Sequence, residues 1–502
     1  MSHSVSPHLI MSNSPYLDGS SMDERASLPV SLPVPNPTPS YWHCLSAPLH
    51  SLAPDYRSTP DLPSHCDTVI VGSGISGAAI AYNLLRSQKP SSDNDPRQIL
   101  LLEARTLCSG ATGRNGGHTK AASYRSFLSH VASLGQDEAV KIARLEYSNI
   151  KAVHSFAKEH GIECDLFEGD TVDVIYDAAQ WAEAQEAVEK LRGVFPAGDP
   201  VGRYILLTKE EVEQEYLVHD YDYEGKREEV KGGVRYEAGS LSAYKFVMGV
   251  LKEAVEMGLN LQAGAVVTGL ERDKEDGRWV VKTNRGLVRA GRVVLATNGY
   301  TAALKPEIFQ GVVVPLRGQI TAHRPGTKMP ARGCLETTYS FIYEGGYEYM
   351  ITRPKGSEYE GDIIMGGGLV RGEPDEGLRE FGVSDDTKVN EGIGAYLRET
   401  TPRYFGRDWG DDHPDGRTRQ EWAGIMGFSP DGFPFVGEVP GQEGLWLSAS
   451  FQGHGMVLCW MCADGLVKLM RGKGKEEVEG WFPEIFVITE ERLKKRFQGR
   501  LS

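Results

Sequence analysis

The sequence predicts an α/β chain of two interleaved domains, one built on a parallel sheet and a second, α+β domain containing an antiparallel sheet. Three observations lead there. A β-branched run, a glycine turn, a small-residue helix pattern and a second apolar run follow one another between Asp67 and Glu103; this is a βαβ unit, and its strands must be parallel. Between Gln310 and Leu369 short β-rich runs recur with glycine breaks, the pattern of an antiparallel sheet. Glycine clusters at 72–77, 110–117 and 453–455 lie far apart in the chain, so segments serving one site come from distant places.

Composition agrees with a multidomain globular protein. At roughly 100–200 residues per domain, 502 residues suggest two to four units. Glycine is in excess, with 58 residues against a usual share of roughly 7%. The excess has no fixed period, which excludes collagen. A net charge of −15 without a basic stripe argues against nucleic-acid partners, because phosphate attraction supplies most non-specific affinity. Seven scattered cysteines do not form a disulfide framework, and a reducing, cytoplasmic location is expected. No apolar run is long enough to span a membrane. The N-terminus has no secretory pattern, and Gly499-Arg500-Leu501-Ser502 is not the Ser-Lys-Leu peroxisomal address.

Along the chain, residues 1–60 hold 13 serines and 10 prolines and are expected to be an extended or disordered leader, at least to about Pro39. Tyr41-Trp42 and the apolar residues after it are the part that could lie on the folded body. Asp67-Thr68-Val69-Ile70-Val71 reads as a strand ended by Gly72. A helix over Ser76–Arg86, a polar loop over Pro90–Pro96 and a strand over Ile99–Glu103 follow. Lys141–His160 and Ala178–Leu191 read as amphipathic helices. A second sheet-like block occupies Gly264–Thr297. These elements divide into residues 61–125, 234–310 and 421–475 for the first domain and 126–233 plus 311–420 for the second. Residues 476–502 form a charged tail, read as a solvated face.

Gly72-Ser73-Gly74-Ile75-Ser76-Gly77 is a G-x-G-x-x-G between strand and helix, the Rossmann-like arrangement. The first glycine permits the sharp turn, the second lets backbone approach a pyrophosphate, and the third allows close helix–strand packing. The helix N-terminus offers free N–H groups and partial positive charge. Glu103 ends the next strand, placed to accept ribose hydroxyls. A dinucleotide site is therefore expected. Ser109–His118 is a second glycine-rich segment, too long and polar for an ordinary connection. It reads as backbone running along a cofactor that extends beyond the pyrophosphate.

With these residues the chain resembles the D-amino-acid-oxidase-like family of FAD-dependent oxidoreductases, which includes glycine and sarcosine oxidases, and most nearly its gamma-glutamylputrescine-oxidase-like branch. Four blocks carry the resemblance: Gly72–Gly77 with Glu103; Gly110–Gly117; Val293–Tyr300 with Pro315–Gln319; and Glu421–Gly424 through Asp431–Gly437 and Phe451–Met456. They occur in the family's order between residue 67 and about residue 470.

The resemblance implies a Rossmann-like FAD-binding domain and a substrate domain over the flavin ring. The expected cofactor-binding residues are Gly72, Ser73, Gly74, Ile75, Ser76, Gly77, Glu103, Ala104, Arg105, Ala111, Thr112, Arg114, Asn115, Gly116, Gly117, Val267, Thr297, Asn298, Gly453, His454, Gly455 and Met456. In the family the segment like Gly453–Met456 begins a helix aimed at the flavin, where its N-terminus stabilises negative charge. Departures also matter. The arginine that pairs with a substrate carboxylate in glycine-oxidase-like members is Met426 here, which argues against a simple amino-acid substrate. Gly424 and Arg114 stand where relatives attach flavin through cysteine or histidine, so FAD is expected to be non-covalent, although Cys108 and His118 are nearby. Ile364 stands where sarcosine-oxidase-like enzymes use a lysine to activate oxygen.

The expected function is oxidation of a C–N bond of an amine or amino acid by hydride transfer to flavin, with hydrolysis of the imine and electrons passed to oxygen or another acceptor. His454, Arg317 and Arg353 are the candidates for catalytic roles, and no general base is assigned. Alternatives are a dehydrogenase of a specialised metabolite that does not use oxygen, a non-catalytic flavin-binding redox protein, and a nicotinamide enzyme. Cys459-Trp460-Met461-Cys462 lacks the second pair a zinc site needs, so no metal is expected. Tyr339, Tyr343, Tyr347 and Tyr349 are read as sheet-packing residues rather than pocket walls.

Overall fold

Two apolar faces on one short strand organise the first domain. In β1 (His65–Val71) Val69 and Val71 pack on one side and Ile70 on the other, all under 10% exposed. In β2 (Ile99–Leu102) Leu100 and Leu102 share the first side and Ile99 and Leu101 the second. A parallel sheet covered on both faces needs such continuous apolar runs, and each fully buried Val, Ile or Leu contributes roughly 1.5–3 kcal/mol. A computed structural model describes residues 21–48, 51–87, 98–330, 335–372, 375, 377–472 and 474–498. The Pro90–Pro96 loop lies outside the described residues, as do the first 20 residues and Gly499–Ser502.

β1 pairs in parallel with β2 and with β12 (Gly286–Leu295). β9 (Asn260–Gln262) continues the parallel ladder beyond β2, and β19 (Leu445–Ala449) beyond β12. β10 (Val267–Arg272) and β11 (Trp279–Thr283) form an antiparallel meander onto β12, and β18 (Phe435–Glu438) pairs with β19. The Gly264–Thr297 block thus joins the first sheet. α3 (Ile75–Arg86), after the short α1 (Met22–Ala26) and α2 (Tyr41–Cys44), covers one face together with the helix Cys459–Leu469. Cys462 is fully buried in that helix, a packing residue as expected.

Among the described residues the second sheet has nine strands. β17 (Thr418–Phe428), β13 (Val314–His323), β16 (Ile363–Gly366), β15 (Gly346–Thr352) and β14 (Thr337–Tyr343) run antiparallel, β14 pairs in parallel with β4 (Phe167–Ile175), and β8 (Gly232–Ser240) and β3 (His118–Lys120) complete the path. β5 (Ile205–Leu207) adds to β8, and β6 (Tyr221–Tyr223) with β7 (Lys226–Glu228) is a separate hairpin. α4 (Tyr124–Leu134) and α5 (Gln136–Glu159) follow β3. The chain therefore passes repeatedly between the sheets.

Three boundaries differ from the sequence reading. β3, the start of β8, and β17 belong to the second sheet, although residues 61–125, 234–310 and 421–475 were assigned to the first domain. Strand allegiance is set by the pairing partner, which local composition does not encode. The leader is the second difference. Residues 28–39 form no helix or strand, yet Val30 and Leu32 pack against the first domain's core; Tyr41 and Trp42, 1% exposed, lie on the body as the sequence allows. The third is the tail. Phe482, Phe486 and Phe497 are buried, and Arg492, 4% exposed, grips the Asp431 carboxylate with two 2.9 Å contacts.

Buried histidines make a prediction about pH. Burial pushes His130 and His154 down to about 4 and His323 down to about 3. The unfolded chain protonates these rings near pH 6.5, whereas the folded chain keeps them neutral. Stability is therefore full above pH 6.5 and falls as the pH drops toward 4, with a slope of about 1.4 kcal/mol per pH unit for each ring. Glu146, raised to about 7 by burial, works in the opposite sense between pH 7 and 4.5 and offsets one of the three. Denaturant midpoints measured from pH 7 to 4.5 should decline, and a flat profile would refute the assignment.

Candidate functional site

The glycine turn sits at the carboxyl ends of β1 and β2. Gly72 has φ +105°, and a Cβ there would lie 2.6 Å from the Ala296 carbonyl oxygen. A Cβ on Gly77 would lie 1.9 Å from the Gly72 carbonyl oxygen, which is why the third glycine is needed. The Ile75 N–H at the start of α3 donates to Thr112 Oγ1 at 3.0 Å, tying the turn to the second glycine segment. Glu103, 8% exposed, accepts from Ser73 N at 3.0 Å and Ser73 Oγ at 2.6 Å with one oxygen, and from Arg105 N at 3.1 Å with the other.

These groups line one cavity of about 410 Å³ that runs from the first sheet to the second, within the range of roughly 300–1,000 Å³ usual for small-molecule sites. Every residue expected to bind cofactor lines it except Gly77. Gly77, grouped with the cofactor-binding residues, is buried behind the turn and acts through the helix–strand packing that its place in the motif predicts. Val267 and Glu103 lie toward the first sheet, and Gln319, Tyr347 and Tyr349 are contributed by the second. Near Gly453 the backbone is strained: Asn298 (φ 44°), Ser450 (φ 63°) and Gln452 (φ 52°) adopt left-handed conformations, each costing about 1–3 kcal/mol. Asn298 Oδ1 accepts from Ser450 N at 3.0 Å and holds this turn.

Of the three catalytic candidates, one reaches the cavity. His454 lines it and donates its Nδ1–H to the Gln452 carbonyl at 2.7 Å; burial lowers its pKa, so the ring is neutral at pH 7. Arg317 does not line it. Its side chain grips both oxygens of Glu380, at 2.6 and 3.1 Å. Arg353 is also excluded: 1% exposed, it bonds Asp165 at 3.0 Å and stacks 5.2 Å from the Trp42 ring centre. An arginine that faces a carboxylate or a ring inside the protein looks, in sequence, like one that faces a ligand.

The cavity also contains residues the sequence reading missed. Tyr343, Tyr347 and Tyr349 are walls, contrary to expectation, while Tyr339 packs within the sheet. Lys120 and Arg125 line it too. They follow the glycine segment by a few positions, but β3 is three residues long and too short to announce itself as a strand. Lys120 is paired with Asp173 at 2.6 Å, and Asp173 also accepts from Tyr124 and Tyr236 at 2.8 Å each. His118 bonds Thr338 through Nε2 at 2.8 Å, leaving Nδ1 without a partner. Cys108 is fully buried outside the lining.

The family described as DAO, FAD dependent oxidoreductase, matches residues 67–469. The chain belongs to this family. It is 25% identical over 416 residues to a probable oxidoreductase, OrdL, of Rhizobium meliloti, covering 82% of this chain and 84% of that one. A glycine oxidase of Pseudomonas aeruginosa is 27% identical over 194 residues, 38% of this chain and 45% of the other. The mitochondrial dimethylglycine dehydrogenase of Rattus norvegicus is 22% identical over 411 residues, covering 80% and 42%. The crystal structure of glycine oxidase from Geobacillus kaustophilus superimposes with TM-score 0.63 and 20% identity, covering 85% of this chain and 99% of that one. The mixed α/β fold with parallel and antiparallel sheets is thus shared.

The residues of this FAD-dependent oxidoreductase fit its cofactor. Backbone bare of side chains at three distant segments faces one cavity, and the acid that ends β2 lines it. A knot of charge closes the site. Asp386, 0% exposed, receives Arg105 at 2.9 Å and Arg114 at 3.5 Å. Arg114 also donates to the carbonyls of Ser109, Thr38 and Ala423. Arg105 reaches Val34 O at 3.2 Å, and Thr38 N donates to Asp386 O at 2.8 Å. One buried carboxylate therefore ties the strap of residues 21–48, the second glycine segment and β17 together, and the strap places Leu32 and Pro33 in the cavity wall. Among the described residues, no helix is long and apolar enough to cross a membrane.

Proposed function

We propose that this FAD-dependent oxidoreductase oxidises a carbon–nitrogen bond of an amine or amino acid, with non-covalent FAD along the cavity. The observation that carries the reading is the single cavity reached by residues 72–76, 103–105, 110–117, 267, 297–298 and 453–456 and open to the second sheet. The glycine oxidase and dimethylglycine dehydrogenase similarities support the bond class. Bound FAD supplies the two-electron acceptor for hydride from the carbon beside nitrogen. Glu103 receives ribose hydroxyls, the backbone of Gly72–Ser76 and the α3 N-terminus receive pyrophosphate, and Gly453–Met456 stabilises negative charge with N–H groups. Val267 borders the adenosine, and Thr297–Asn298 with Ala111–Gly117 border the rest. The tyrosine walls orient substrate and exclude water. His454 is a contact residue in this reading, because its Nδ1–H is committed to Gln452.

Two electron acceptors fit the reading, oxygen or a separate carrier, and hydrogen peroxide release during turnover separates an oxidase from a dehydrogenase. A cytoplasmic location is part of the proposal, supported by the buried free thiols of Cys66, Cys108, Cys164, Cys459 and Cys462.

The purified protein should be yellow, absorbing near ~450 nm, with pigment released by acid. Anaerobic addition of amines, polyamines or N-methyl amino acids should bleach it. A colourless protein that binds only nicotinamide, or a flavoprotein that no amine or amino acid bleaches, would overturn the proposal. Pigment that stays with acid-precipitated protein would overturn its non-covalent part and point to His118.

A further inference from the structure

Charge in the cavity is unevenly compensated. Four basic side chains, three arginines and one lysine, line it. Arg105 and Arg114 share Asp386, and Lys120 is neutralised by Asp173. Arg125, in the first turn of α4, has no ion pair or side-chain hydrogen bond among the described residues. Its guanidinium lies flat against Tyr347, 4.5 Å from the ring centre, on the second sheet's side of the cavity. Glu103 is the one acidic residue among the lining residues, and it belongs to the first-sheet end. The substrate end therefore carries one uncompensated positive charge.

A guanidinium stacked on an aromatic ring keeps its plane fixed by the ring while its N–H edge stays available. That edge matches the two oxygens of a carboxylate. A neutral amine offers it nothing, and leaving its donors unmet in a closed site is costly. Resting on the proposed C–N oxidation, we propose that Arg125, positioned by Tyr347, receives a carboxylate of the substrate, so that the substrates are amino acids or N-substituted amino acids rather than simple amines. This reverses the expectation drawn from Met426. The apolar side chain at that position removes an anchor on β17, whereas the cation on α4 supplies one from a different element of the same cavity.

The test compares Arg125→Ala and Arg125→Lys with the wild-type holoenzyme. Two readouts are used: kcat/KM for carboxylated substrates relative to their decarboxylated counterparts, and the Kd of benzoate against benzamide from the perturbed flavin spectrum. Loss of two charge-assisted hydrogen bonds should lower the carboxylate-to-amine ratio roughly 100-fold in Arg125→Ala and weaken benzoate by a similar factor. Arg125→Lys, which keeps the charge but loses the fork, should fall between. Flavin content and unfolding midpoint confirm that each variant is folded. If both substrate classes lose equally, or benzoate and benzamide bind the variants as they bind wild type, the inference fails. A wild-type enzyme bleached by amines and by no carboxylate also overturns it while leaving C–N oxidation intact. One bleached by neither overturns the functional reading itself.

Discussion

Gly77→Ala is expected to purify with little or no FAD and to be less stable by at least about 3 kcal/mol. The new Cβ would stand 1.9 Å from the Gly72 carbonyl oxygen and 3.0 Å from its carbon. Both are backbone atoms that cannot rotate aside. Relief requires α3 to move away from β1 by more than an ångström, which displaces the turn proposed to meet the pyrophosphate and opens the core beneath it. Overpacking a well-filled core typically costs about 1–3 kcal/mol, more where backbone must move. Absorbance near ~450 nm relative to 280 nm measures the cofactor, and urea midpoints measure stability. Gly193→Ala is the control. It lies near the end of a helix with nothing within 4 Å of the added Cβ, and it should be neutral or slightly stabilising. Equal behaviour of the two variants would refute the packing argument.

Asp386→Asn is expected to lose about 3–5 kcal/mol of stability and much of its FAD. Arg105 and Arg114 would remain buried with their shared countercharge gone, and an uncompensated buried charge costs that much. The consequence spreads because Arg114 holds Thr38 of the strap, Ser109 of the glycine segment and Ala423 of β17. Limited proteolysis should cut the strap faster in the variant, alongside faster FAD release. Thr38→Val removes one hydroxyl that donates to Asp386 O and accepts from Arg114 Nη1 and Ala423 N, and should give a smaller loss. An Asp386→Asn protein with wild-type proteolysis and flavin content would show that the knot does not hold the strap.

Most of the first-sheet side of the cavity, the proposed cofactor face, is legible because it is written locally. G-x-G-x-x-G, the acid ending the next strand and the second glycine segment are short stretches in which backbone itself faces the cavity, so residue type announces the role. Gly77 shows the limit: its packing role follows from its place in the motif, but that it stands behind the turn and does not line the cavity is decided by the fold. The substrate end was legible only in part. Arg317 and Arg353 were singled out as chemically apt, yet Glu380 and Asp165 occupy them. Lys120 and Arg125 are not legible as cavity residues, because the strand that carries Lys120 there is three residues long and Arg125 follows in the first turn of α4. The tyrosines alternate along β14 and β15 as sheet residues do, and nothing in that alternation says that one face borders empty space.

The aperiodic glycine excess, the βαβ order and the separation of the glycine clusters determined by themselves that this is an interleaved α/β protein with a dinucleotide site, and the four motif blocks added its resemblance to the FAD-dependent DAO family. Those features depend on contacts within a few residues or on backbone that only glycine permits. The tertiary structure alone decided which of the arginines lining the cavity are paired internally and that Arg125 is not, that the serine- and proline-rich strap and the charged tail pack on the body, and that β17 belongs to the second sheet. Each is settled by partners hundreds of residues away, as in the Arg114–Asp386 pair. A side chain's chemistry is set by its sequence, but its availability is set by what the fold places beside it.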